Sequence, residues 1–259
     1  DGALVADATS LSGPPHGGGW AWEDLQWYFG AEVSALTFND NLALVRVTPG
    51  ARPGDPCAVK VEPDVGYLEV DNRTRTVVGG PSRIAVHRAI DGRVVEVSGT
   101  LSAGHRGWSG GVAVHDPPRY AAAAFRRALA DVGIAVAGPT LKLEAGMARP
   151  DHLELGRLVE LAGADSLPLS DLVRVVNKRS QNLHAELILR MLGRERGPAG
   201  VPSDEAGLAV VTAFLEKIGA PRDGVALFDG SGLSRLNRVS PAALAAVSRA
   251  MASHPAGPF

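Results

Sequence analysis

The feature that most constrains the fold is a change of pattern near residue 115. Residues 1–115 are valine-rich and strand-like, broken at short intervals by Gly and Pro, whereas residues 116–259 carry well-marked helix starts and stops. A chain that switches from short strands to capped helices belongs to a mixed α/β class. In the first part, Val33–Val47 reads as a hairpin turning at Asn39-Asp40-Asn41, because Asn and Asp tolerate the positive φ of tight turns. Further short strands are expected at Cys57–Val61, Tyr67–Val70, Thr74–Val78, Ile84–Arg88 and Val94–Gly99, forming a small antiparallel module. In the second part, Asp116-Pro117-Pro118 opens a helix that stops at Gly133, and Ile134–Gly138 reads as a buried strand. Helices are expected from Ser170 to about Val176, from Leu183 to Leu192 with Gly193 as its end, from Ser203 to Ile218, and from Ser240-Pro241 to about Met251.

With 259 residues and 45% hydrophobic content, the chain is long enough for two or more domains. A net charge of −2 gives no electrostatic case for nucleic acid or an anionic membrane surface. The lone Cys57 excludes an intrachain disulfide and a cysteine-based metal site, and the seven histidines form no H-E-x-x-H pair. No apolar run reaches the length of about 18 residues that a membrane span needs. Asp1-Gly-Ala-Leu-Val5 does not read as a signal peptide, and both ends read as those of a fragment of a longer protein.

Three local patterns offer chemistry. Gly107-Trp-Ser109-Gly-Gly111 matches the spacing of a nucleophile elbow, but that motif needs a helix directly afterwards, and Gly111–His115 reads as another strand. An unrelated serine esterase using Ser109 is therefore a minor alternative. Asp229-Gly-Ser-Gly232 lacks the alternating oxygen ligands and closing Glu of a calcium loop and reads as a structural turn. The third pattern, Asn177-Lys-Arg-Ser180-Gln-Asn182-Leu-His-Ala-Glu186, sets a polar stretch between two apolar helical segments. The simplest account makes Ser180 the cap of the second helix. The chemical account is a Ser-x-Asn pair, in which a hydroxyl relays a proton and an amide two residues on orients a substrate carbonyl.

Together with Phe228-Asp-Gly-Ser-Gly-Leu-Ser-Arg-Leu-Asn-Arg-Val-Ser-Pro241, the early Trp20-Ala-Trp22-Glu-Asp24 segment with Tyr28 and Ser34-Ala-Leu36, and Asp116-Pro-Pro-Arg-Tyr120, this stretch closely resembles the D-alanyl-D-alanine carboxypeptidase/endopeptidases, the low-molecular-mass class C penicillin-binding proteins. The resemblance implies an α/β fold: part of a penicillin-recognising, β-lactamase/transpeptidase-like serine-peptidase domain at residues 159–259, an inserted α/β domain at 1–45 and 106–158, and a small β module at 46–105. It implies hydrolysis of D-Ala-D-Ala or D-amino-acid crosslinks through an acyl-serine, with peptidoglycan stem peptides as substrates and β-lactams as covalent inhibitors. No metal or cofactor is implied, and the expected location is extracytoplasmic. Ser180 would assist proton transfer to the departing D-alanine and Asn182 would hold the substrate amide. Trp22, Asp24 and Tyr28 would contact the amino-bearing side chain of the stem peptide; the alternative is that Trp20, Trp22 and Trp27 fill a small core.

The family's other two motifs do not occur here. No serine is followed three residues later by lysine, and none of Lys60, Lys142, Lys178 and Lys217 begins a Lys-Thr-Gly or Lys-Ser-Gly. The expectation is that Ser-x-x-Lys lies before Asp1 and Lys-Thr-Gly after Phe259, and that this chain alone is inactive for want of a nucleophile. The rival in a different class is a cell-wall-binding module that holds stem peptides without cleaving them.

Overall fold

A computed structural model describes residues 2–148, 150, 153 and 158–255. Contacts gather into two compact units: residues 1–6, 22–32 and 36–142 in one, and 7–21, 33–35 and 143–259 in the other.

Strand β1 is Leu4–Ala8. In the first unit, β2 (Leu42–Thr48), β3 (Ala58–Glu62), β4 (Glu69–Val77), β5 (Arg83–Arg88), β6 (Val94–Ser102) and β7 (Trp108–Ala113) make two three-stranded sheets. The orders are β3-β2-β7 and β4-β6-β5. Period-two alternation puts Ala43, Val45 and Val47 of β2 on one buried face and Val95, Val97 and Leu101 of β6 on another. Val45, Val47, Cys57, Val86, Val95, Val97, Leu101 and Val112 form one apolar core, against which Trp27 packs. Helix α1 (Pro117–Asp131) brings Tyr120 into a second cluster with Ala43, Tyr67 and Val114. Strand β8 (Thr140–Glu144) pairs with β1.

The second unit is built on helices α2 (Leu169–Arg179), α3 (Asn182–Arg196), α4 (Ser203–Lys217) and α5 (Pro241–Ser253). A short antiparallel pair, β9 (Val225–Ala226) and β10 (Arg238–Val239), lies before α5. Ser240 caps α5 by accepting a hydrogen bond from the Ala243 N–H at 3.2 Å, as its sequence position implies.

Four local expectations are corrected. Only the second arm of the Val33–Val47 hairpin is a strand. Asn39, Asp40 and Asn41 do take positive φ, but Asn41 is fully buried, and its amide donates to the Glu32 carbonyl at 2.9 Å, so the segment plugs the core instead of turning a hairpin. Tyr67–Val70 and Thr74–Val78 fall largely on one continuous strand, β4, and β4 runs parallel to β6, so the module is mixed rather than antiparallel. Ile134–Gly138 is irregular, and Ile134 is exposed; the Arg126 guanidinium holds this segment through the Val136 and Gly138 carbonyls. Gly193 does not end α3. A Cβ there would sit 2.0 Å from the Ser203 carbonyl oxygen, and one on Gly207 would sit 2.2 Å from that of Leu189. These two glycines let α3 and α4 pack with their backbones nearly touching, so Gly193 marks a crossing and not a stop.

Candidate active site

The Ser-x-Asn turn joins α2 to α3 through two residues only. Ser180 closes α2 in the left-handed conformation (φ 56°, ψ 57°), its N–H donating to the Val176 carbonyl. A glycine ordinarily fills that cap, because any Cβ there costs about 1–2 kcal/mol. Ser180 is exposed, and it is not the cap of α3. That position belongs to Gln181, whose side chain makes no capping bond, so the simple N-cap account of the serine is set aside. Asn182 is the first residue of α3. Behind it, Leu183, Glu186, Leu189, Arg190 and Gly193 form the buried stripe that fixes the helix in place.

Glu186 stands out on that stripe, being only 1% exposed. One of its oxygens, Oε1, accepts the backbone N–H groups of Gly230 at 2.9 Å and Ser231 at 2.8 Å. The helix carrying Asn182 is thereby tied to the Asp229-Gly-Ser-Gly232 loop. Asp229, 5% exposed, organises the loop from within. Its Oδ1 accepts from Gly232 N–H at 2.9 Å and Asn237 Nδ2 at 2.6 Å. Its Oδ2 accepts from Trp20 Nε1 at 2.8 Å, Ser234 N–H at 2.8 Å and Ser231 Oγ at 3.0 Å. Asn237 is oriented in turn by accepting Phe228 N–H at 2.7 Å on its Oδ1.

The two carboxyls titrate in opposite directions. Burial raises Glu186 above the usual glutamate value, reinforced by the nearby Asp229 charge and only partly offset by the bonds from Ser231 and Gly230. Burial also pushes Asp229 up, but bonds from Asn237, Trp20, Ser234 and Gly232 outweigh it and leave the group below its ordinary value. Asp229 is therefore an ionised structural anchor with its lone pairs occupied, and not a base with an open side.

Trp22, Asp24 and Tyr28 lie in the first unit, on two successive 3-10 turns, Trp22–Asp24 and Tyr28–Gly30. The Trp27 N–H donates to the Asp24 carbonyl at 3.0 Å and links the turns. Trp22 is 72% exposed and Tyr28 51%, so neither fills a core. The three tryptophans of the 20–27 segment have separate duties: Trp27 packs on the β core, Trp20 binds Asp229, and Trp22 faces solvent. Ser109 sits inside β7, paired with Arg46 of β2, and the strand runs on to Ala113 with no helix directly after the serine, so the elbow geometry is absent. Among the described residues no group of three or more His, Cys, Asp or Glu side chains is placed to hold a metal. No helix among them is long and apolar enough to cross a membrane.

Sequence reasoning picked out Ser180, Asn182 and the Asp229 loop but not the carboxylate of Glu186 that joins them. The signal was present: an acidic residue at the centre of an apolar helical stripe needs a buried partner.

The family model of the D-Ala-D-Ala carboxypeptidase 3 (S13) family matches residues 1–258. The chain belongs to that family. A D-alanyl-D-alanine carboxypeptidase of Actinomadura sp. (strain R39) is 31% identical over 246 residues, 92% of this chain and 44% of that protein. The D-alanyl-D-alanine carboxypeptidase DacB of Haemophilus influenzae is 28% identical over 254 residues, 95% of this chain and 50% of that protein. Among solved structures, penicillin binding protein 4 (dacB) from Haemophilus influenzae superposes with a TM-score of 0.74 at 24% identity, covering 96% of this chain and 53% of that one. The same protein complexed with a β-lactam gives a TM-score of 0.67 at 26% identity, over 85% of this chain and 48% of that one. The S13 chain described here thus spans about half the length of the relatives it matches.

Proposed function

We propose that the protein to which this S13 chain belongs is a serine-type D-Ala-D-Ala carboxypeptidase or endopeptidase of the bacterial cell envelope, acting on peptidoglycan stem peptides and acylated by β-lactams. Residues 159–259 belong to its penicillin-recognising domain, with 1–45 and 106–158 as an inserted α/β domain and 46–105 as a β module. Ser180 Oγ relays to the departing amine the proton released by a nucleophilic serine that lies outside these 259 residues but in the same cleft, as that serine is acylated, and the Asn182 amide orients the substrate carbonyl. Trp22 and Tyr28 pack the methylenes of an amino-bearing side chain, and Asp24 pairs with its ammonium.

The observation that carries this proposal is the conformation of Ser180. An exposed serine is kept at φ 56°, where glycine is cheaper, on a turn braced from behind by Glu186 and Asp229. Strain of that kind is tolerated where the side chain has work to do. The 259 residues contain no Ser-x-x-Lys, so this polypeptide alone has no activated nucleophile. Incubation with a fluorescent penicillin should leave it unlabelled while the whole protein is labelled; covalent labelling of the 259-residue chain would overturn this division of roles.

A further inference from the structure

The first unit holds a concave feature for which the peptidase chemistry has no use. A cavity of about 420 Å³ is lined by Arg93, Arg119, Arg126, Arg127, Tyr67 and Thr140. The local fold explains the gathering. Residues 119, 123, 126, 127 and 130 fall on one stripe of α1 at spacings of three and four. Ala123 and Ala130 on that stripe also line the cavity, and their small side chains leave room between the guanidiniums. Arg93, the residue before β6, has its guanidinium 5.4 Å from the centroid of the Tyr67 ring, a cation–π placement.

Four like charges around one cavity repel unless compensated, and compensation is half complete. Arg119 pairs with Asp116 at 3.1 Å, an aspartate that Lys142 shares at 3.3 Å, and Arg127 pairs with Asp131 at 2.9 Å. Arg126 donates to the carbonyls of Val136 and Gly138 and to Thr140 Oγ1, which use its hydrogens but leave its charge. Among the described residues neither Arg93 nor Arg126 pairs with a carboxylate. Two positive charges therefore remain unneutralised.

We propose that this cavity binds the phosphate group of a small phosphorylated ligand. A phosphate monoester is dianionic at neutral pH and matches the two uncompensated charges, whereas a single carboxylate neutralises only one. Planar guanidinium forks suit phosphate oxygens, and the Arg93 fork, already oriented on Tyr67, presents its donors without a competing partner among the described residues.

The test is a nuclear magnetic resonance titration of the 259-residue chain with inorganic phosphate and with phenyl phosphate, following arginine Nε–H signals, with acetate as the monoanion control. The expected result is saturable binding of both phosphates in the millimolar range or tighter, with acetate weaker. Affinity for phenyl phosphate should fall as pH drops below about 6, where the monoester loses its second charge. Arg93→Gln should weaken binding roughly tenfold, the effect of removing one of two charges at short range, with an unchanged melting temperature. Absence of saturation, equal responses to acetate and phosphate, or undiminished binding by folded Arg93→Gln would each overturn the proposal.

Discussion

The Asp229 carboxylate has five donors pointing at it, two on Oδ1 and three on Oδ2. The change Asp229→Asn keeps the size of the side chain and replaces one oxygen with an NH2. If the amide nitrogen takes the Oδ1 position, it faces the Gly232 N–H and the Asn237 amide; in the other orientation it faces Trp20, Ser231 and Ser234. At least two donors are thus set against a donor. Hydrogen bonds to a charged group contribute about 1.5–3 kcal/mol each, so the expected loss is roughly 3–6 kcal/mol. For a unit of this size that lowers the melting temperature by about 10 °C. The loss also depends on pH in a set direction. Asp229 is held below its ordinary value, so its contribution is fully present above the unfolded aspartate range and is lost as pH falls through the folded value. Thermal melts from neutral pH down to about pH 3 should show the gap between wild type and variant closing at the acid end. A loss under about 1 kcal/mol at neutral pH would refute the account of the loop as a carboxylate-centred knot.

Two further outcomes follow from the same geometry. Glu186 receives both of its loop bonds on one oxygen, so Glu186→Gln can keep them with its carbonyl and should cost less than about 1 kcal/mol. Because burial raises Glu186, wild-type stability from this group is present at low pH and falls as pH rises through its folded value; melts of Glu186→Gln should gain on wild type over that rise, and a widening deficit would contradict the assignment. In the whole protein, Asp24→Ala should lower kcat/KM roughly 10- to 100-fold for a stem peptide with a free amino side chain, the worth of one charge-assisted bond, and far less for its acetylated form. Equal losses on both peptides would remove Asp24 from the subsite.

Much of this was legible in the residues, and the exceptions share a cause. The helix ends at Gly133, Gly219 and Ser240 were readable because capping is a local matter. Gly193 looked the same on paper, yet it serves the approach of α4, a partner ten residues further along the chain. The direction of β4 was hidden for a similar reason: β6 returns between β4 and β5, and no local pattern tells a strand whether its neighbour runs with it or against it. Ile134–Gly138 has the composition of a strand, but its carbonyls are taken by Arg126. At the site, Ser180-Gln181-Asn182 and the Asp229 loop were visible as motifs. The buried Glu186 that couples them spans 44 residues and became visible only in the fold.

The central claim is that the Ser180 hydroxyl, and not merely its backbone, is what this turn provides. Ser180→Gly isolates the hydroxyl, since glycine accepts the left-handed cap and should leave stability unchanged or raise it by up to about 1 kcal/mol. The direct measurement is the rate at which a fluorescent penicillin acylates the whole protein carrying Ser180→Gly. Removing a positioned proton donor predicts acylation slower by about 10²–10⁴-fold in a protein that melts no lower than wild type. Acylation within about twofold of wild type, well below the effect of losing a general acid, would contradict the claim.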